Sequence, residues 1–231
     1  MFSLLLMLLS VHHVHGWNMW ESDWTTVFVA CSGNGQSVWD AWKDNAGVTC
    51  EASSVVEDAD TCKQSHQSDP ILNEWRSSRI EQVRLRLWKD GEIVVEMKFN
   101  GTDTNKFNWF AQSKLLSSSY SDIGELDAHF TFFSSYGYGY GVNRRFYINK
   151  SNYLGCAVDA GWMFVKDVGY GVDCLFDSYK KYPYFLYATN YHSGVWQTEG
   201  DYDFADMMSI QVHQGEEEQK GTTTTEEPEE M

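Results

Sequence analysis

Hydrophobic and polar residues alternate with period two along residues 80–99, IEQVRLRLWKDGEIVVEMKF. Val83, Leu85 and Leu87 share one face of the first arm, and Arg84 and Arg86 the other. In the second arm Ile93, Val95, Met97 and Phe99 face one way, and Glu96 and Lys98 the other. This alternation predicts two half-buried strands joined as a hairpin. Parity selects the turn. A regular two-residue Asp90-Gly91 turn would set Leu85 opposite Glu96 and mix the faces. A three-residue loop, Lys89-Asp90-Gly91, pairs Leu87 with Ile93, Leu85 with Val95 and Arg84 with Glu96, with Gly91 in the left-handed position. The three-residue loop is therefore expected, because a one-residue slip would expose a whole face.

Further short runs follow the same logic. Residues 25–31 (TTVFVAC) are β-branched and aromatic, and the turn residues SGNG end them. Strands are also expected at 128–134, 145–149, 161–166, 184–189 and 206–214. Residues 37–43 (SVWDAWK) do not sort into two faces, and 109–116 (WFAQSKLL) reads as a short helix or a strand. No long segment keeps a helical period. Many short strands between Gly, Asn and Ser turns predict an all-β fold, an antiparallel β-sandwich or jelly-roll-like domain spanning residues 17–214.

The two ends differ from this pattern. Residues 1–16 (MFSLLLMLLSVHHVHG) combine a short apolar run with small Gly16, which predicts a secretory signal peptide and a mature N-terminus at Trp17. A buried N-terminal helix is the alternative. Residues 215–231 (GEEEQKGTTTTEEPEEM) form a low-complexity acidic Glu/Thr tail, too poor in large apolar residues to fold and so expected to be disordered.

Charge narrows the partners. The net charge is −16, of which the tail carries −6 and the rest −10. Nucleic acid and anionic membrane both need clustered Lys and Arg, so neither is an expected partner. Cations, basic proteins and mineral surfaces remain, and the acidity can also serve solubility alone. Every apolar run after the first is interrupted by a charge, so no membrane span is expected. Ten Trp, thirteen Tyr and thirteen Phe favour strands and a large core. The run YGYGYG (residues 136–141) reads either as an adhesive or cross-linking patch or as a hairpin tip with a tyrosine face.

Export would make the cysteines disulfide partners. Cys50 with Cys62 and Cys156 with Cys174 are the local pairings, which leave Cys31 over; pairing Cys31 with Cys50 is the alternative. Two sequons, at Asn100 and Asn149, are candidate N-glycosylation sites. Glu199, Asp201, Asp203 and Asp206 alternate along one stretch and are calcium candidates, or else a solvated acidic turn. No cofactor other than calcium is suggested. No His-Glu-x-x-His and no Gly-x-Ser-x-Gly occurs, and no catalytic residue is assigned.

Six motifs carry a resemblance: SGNGQSVWDAW (32–42), FNGT with NWFAQSKLLSSSYSDI (99–123), RRFYIN (144–149), GCAVDAGWMFV (155–165), PYFLYA (183–188) and ADMMSIQV (205–212). Their order resembles a group of secreted single-domain proteins of marine invertebrates, especially molluscs, met as components of the shell organic matrix. The resemblance implies a secreted, non-enzymatic structural component of a calcified extracellular matrix, whose partners are matrix proteins, polysaccharide or calcium carbonate. A secreted carbohydrate-binding, lectin-like module is the alternative, since exposed Trp and Tyr on a β-sandwich can stack on sugar rings. A hydrolase is a third and less favoured reading.

Overall fold

The computed structural model describes residues 23–44, 48–49, 57, 63, 65–124, 133–138, 143–150, 155–168, 174–178 and 181–215. The expected signal peptide, Cys50, Cys62 and the tail beyond Gly215 lie outside the described residues. Within them the strands are β1 (Thr25–Cys31), β2 (Val48–Thr49), β3 (Gln67–Ser68), β4 (Ile80–Lys89), β5 (Glu92–Asn100), β6 (Leu115–Ser118), β7 (Phe133–Ser134), β8 (Arg144–Asn149), β9 (Ala160–Lys166), β10 (Tyr184–Ala188), β11 (Gly194–Val195), β12 (Tyr202–Ala205) and β13 (Met207–Gln214).

The strands form two sheets packed together as an all-β sandwich. One runs β2-β3-β1-β13-β4-β5-β6, the other β12-β10-β9-β8-β7 with β11 beside β9. All pairings are antiparallel except the two-residue β2–β3 contact. A continuous core joins Phe28, Leu85, Met97, Phe99 and Ile210 of the first sheet to Phe146, Phe164 and Leu186 of the second.

The β4–β5 hairpin keeps its expected inward face but not its expected turn. Lys89 pairs with Glu92, so Asp90 and Gly91 alone make the turn, at φ +50° and +81°. Two positive φ values are what a type I′ hairpin turn requires. Face mixing is prevented by a bulge instead. Trp88 pairs with Ile93 but Leu87 with Val95, so Val94 is the extra residue. Arg86, not Arg84, then lies opposite Glu96, and Ile93 is carried outward to 41% exposure.

The outer face of β4 is also covered. The guanidinium carbon of Arg84 lies 4.4 Å from the centroid of the Trp24 ring, and its Nε donates to Gln211 Oε1 at 2.6 Å. Arg86 Nε donates to Glu96 Oε2 at 2.7 Å. The predicted half-buried strand is thus buried on both sides, its arginines paired and stacked rather than solvated.

Residues that failed to sort into strand faces form a helix, α1 (Val38–Asp44). Its buried residues Val38, Ala41 and Trp42 have i, i+3, i+4 spacing. Ser37 Oγ accepts the Asp40 amide at 3.0 Å, closing the first turn. Trp42 drives edge contacts into Phe28 (5.3 Å between centroids) and Phe146 (5.8 Å), locking the helix to both sheets. Residues 109–116 become a 3-10 turn, Gln112–Lys114, followed by β6.

Candidate functional site: an aromatic platform

Three segments bring aromatic rings to one exposed place. Trp39 comes from α1, Phe107 from the loop after β5, and Tyr136 from the turn between β7 and β8. The centroid of Trp39 lies 6.1 Å from Phe107 and 5.5 Å from Tyr136. Phe107 is 45% exposed and Tyr136 55% exposed, with Tyr138 beyond them at 39%. Arg145 of β8 binds the group together: its guanidinium carbon lies 5.3 Å from the Trp39 ring and 4.7 Å from the Tyr136 ring. Its Nη1 donates to the Tyr136 carbonyl at 2.8 Å.

Each ring stands on a pinned backbone. The Trp39 amide donates to Asp167 Oδ2 at 3.0 Å. The Phe107 amide donates to Asn105 Oδ1 at 2.8 Å, and the Phe107 carbonyl accepts from Ser135 Oγ at 3.2 Å. Lys106 Nζ donates to the Lys43 carbonyl at 2.8 Å, tying the same loop to the end of α1; burial holds this ammonium below its ordinary pKa. Tyr136 and Tyr138 flank Gly137, which has φ +59°. A Cβ there would meet the Arg144 carbonyl oxygen at 2.1 Å, so glycine alone lets the turn lie against β8. Gly137 thus lets Tyr136 and Tyr138 be presented outward from a close-packed backbone.

The other sequence candidates are not brought together. Among the acidic four, Asp203 pairs with Lys89, Asp206 Oδ2 accepts the Asp90 amide at 2.8 Å, and Asp201 Oδ2 accepts the Val195 amide at 3.2 Å. Glu199 lies exposed in the turn before β12. Each of the three aspartates thus holds a different backbone or side-chain partner. No group of three or more His, Cys, Asp or Glu residues arranged for a metal occurs among the described residues.

The sequons separate. Asn100 ends β5 half-buried, its Oδ1 accepting the Thr102 amide at 2.9 Å. Asn149 is 2% exposed and paired with Gly161 across β8 and β9, so the folded chain has no room for a glycan on it. Cys156 and Cys174 are joined, as expected. Cys31 is also disulfide-bonded, which departs from the local pairing of Cys50 with Cys62; its mate lies outside the described residues.

Two polar clusters act as joints. Arg144 is buried between Asp159 Oδ2 and Asp177 Oδ2, each at 2.7 Å, and the Cys156–Cys174 bond ties together the loops that bear these carboxylates. Burial opposes its charge, but Tyr147, Asp159 and Asp177 hold the guanidinium protonated. Asp122 accepts from Trp162 Nε1 at 2.6 Å and from Ser193 Oγ at 2.8 Å, while Lys150 Nζ donates to Ser193 Oγ at 2.8 Å. Burial pushes the Asp122 carboxyl up, but these hydrogen bonds and Lys150 hold it below its ordinary pKa. The serine proton thus points at an anion that Lys150 already pairs, an arrangement that fastens the 193 turn to β8 and β9.

The sequence left the tyrosine run either an adhesive patch or a hairpin tip, and residues 139–141 of it lie outside the described residues; it singled out none of Trp39, Phe107 and Arg145 as site residues. The available signal was the pattern at 37–43, where the half-buried Trp39 interrupts strand alternation. Comparison of the chain with protein-family models, with curated proteins and with solved structures returned no match.

Proposed function

We propose that this chain is an exported, non-enzymatic extracellular-matrix component that binds polysaccharide through Trp39, Phe107 and Tyr136. The observation that carries the reading is the platform itself: exposed Phe107 and Tyr136 rings flanking a half-buried Trp39, from three segments, fixed by backbone hydrogen bonds and an interleaved arginine. A contiguous exposed aromatic patch marks an interaction surface. Aromatic faces pair with the C–H faces of sugars, while the indole N–H and phenol O–H serve their hydroxyls. Pinning the backbone lowers the ordering cost of binding. The resemblance to shell-matrix proteins and the seven-Glu tail support a calcified matrix as the setting, with the tail facing mineral or calcium.

Affinity electrophoresis in gels containing soluble polysaccharides tests the reading. Wild-type protein is retarded by at least one polysaccharide, and Trp39→Ala and Phe107→Ala abolish the retardation while circular dichroism stays unchanged. Equal retardation of all three proteins would refute the platform as the binding site.

A further inference from the structure

We infer that the ligand is a single hydrated, uncharged glycan chain, which leaves the platform past Phe107 and continues along a groove lined by both polar and apolar side chains; this rests on the platform reading. The rings themselves argue for a single chain. Trp39 is tilted 52° from Phe107 and 79° from Tyr136. The flat face of a crystalline polysaccharide needs coplanar rings to lie on. Tilted rings fit successive sugars that turn along one flexible chain.

The groove gives that chain a path. A depression of about 450 Å³ begins at Phe107 and is bordered by Asn73, Trp75, Arg76 and Asn105. A second, of about 750 Å³, shares Trp75, Arg76 and Asn105 and runs on past Asn108. The platform and both depressions thus form one continuous surface. Asn105 and Asn108 commit their Oδ1 atoms to the loop, to the amides of Phe107 at 2.8 Å and Asn105 at 2.7 Å. Their Nδ2 groups stay available as donors to sugar hydroxyls.

Charge selects against a polyanion. The cations bordering the two depressions are Arg76, Arg79 and Lys106, and the anions are Glu74, Glu81 and Asp103, so the groove is balanced. The net charge of −16 opposes the approach of an acidic polysaccharide.

Isothermal titration with neutral, β-linked glucose and N-acetylglucosamine oligosaccharides of two to six units tests the inference on the full chain. For the series that binds, affinity rises about tenfold from dimer to hexamer, and soluble hexamer competes the protein off the insoluble crystalline form. Arg76→Ala with Asn73→Ala, both exposed, removes the gain with length and leaves dimer affinity unchanged, whereas Trp39→Ala weakens every length. Length-independent binding that still requires Trp39 would overturn the groove and spare the platform. Preference for the crystalline face, or for sulfated over neutral chains, would also overturn it. Absence of binding across both series would overturn this inference, while retardation by other polysaccharides in the gel assay would still uphold the platform.

Discussion

Asp167 caps helix α1 across a gap of 129 residues: its Oδ1 accepts the Val38 amide at 2.8 Å. Its Oδ2 accepts from the Trp39 amide at 3.0 Å and from Ser37 Oγ at 2.9 Å. The carboxylate stands just after β9, so the second sheet satisfies the first two amides, while Ser37 Oγ takes the third, from Asp40. The same bonds fix Trp39 on the exposed platform, which makes the cap a link between fold and site.

Asp167→Ala is accordingly expected to cost about 1–3 kcal/mol, a lost cap plus buried donors left unsatisfied. Urea denaturation measures the loss. Polysaccharide retardation should weaken in the same variant because Trp39 is no longer held. A destabilised protein with wild-type retardation would show that the cap does not position the platform.

The Cys156–Cys174 bond closes a loop with a sequence separation of 18. In the chain-entropy view a loop of this size contributes about 3 kcal/mol. Its loss also frees the loops that carry Asp159 and Asp177 toward buried Arg144. The double variant Cys156→Ala/Cys174→Ala should therefore be less stable by at least that amount, and Asp177→Asn should add less to it than to wild type. Additive losses in denaturant titrations would separate the disulfide from the charge cluster.

His66 sets a pH dependence. It is fully buried, with Nδ1 3.1 Å from Asn34 Nδ2 and Nε2 3.1 Å from the Gln36 carbonyl. Only the neutral ring, with its proton on Nε2, suits both partners. Burial lowers its pKa from the ordinary value of 6.5, against an opposing pull from the Gln36 carbonyl and Asp167. The folded state then binds fewer protons than the unfolded one. The contribution is full above pH 6.5 and is lost as pH falls below it, by up to about 1.4 kcal/mol per unit. The melting temperature should fall between about pH 7.5 and pH 5.5, and the fall should be smaller in His66→Gln. Parallel pH profiles for the two proteins would remove His66 as the cause.

The sandwich was legible because alternation is local: Val83, Leu85, Leu87, Val95, Met97 and Phe99 all point inward as their spacing required. The turn between them was not, because parity can be restored either by a longer loop or by a bulge. The chain uses the bulge at Val94, a choice set by neighbouring strands. Helix α1 is seven residues long and capped from another sheet, so its own sequence carried too short a period to be read. The platform was hidden for a similar reason. Its rings come from positions 39, 107 and 136, and only the packing of α1 and the β7–β8 turn against one loop assembles them. Conversely, Asp201, Asp203 and Asp206 are close in sequence yet bind Val195, Lys89 and Asp90 separately.

The acidic tail supplies the test of the mineral-facing proposal. The end of the sandwich is tied down: Gln214 Nε2 donates to the Ser78 carbonyl at 2.9 Å and the Gly215 amide to the Arg79 carbonyl at 3.0 Å. Truncation after Gly215 preserves both contacts, so the melting temperature should change little. It removes seven Glu and one Lys, six net negative charges, from a chain of net charge −16. If those charges meet calcium at a carbonate surface, adsorption of the truncated protein should drop at low ionic strength. The difference should shrink as salt rises toward 1 M, where screening confines attraction to about 3 Å. Binding of short oligosaccharides at the platform should be unaffected, because the platform lies on α1, the loop after β5 and the β7–β8 turn. Equal adsorption of truncated and full-length protein at low salt would reduce the tail to a solubility device and leave the matrix proposal resting on the platform alone.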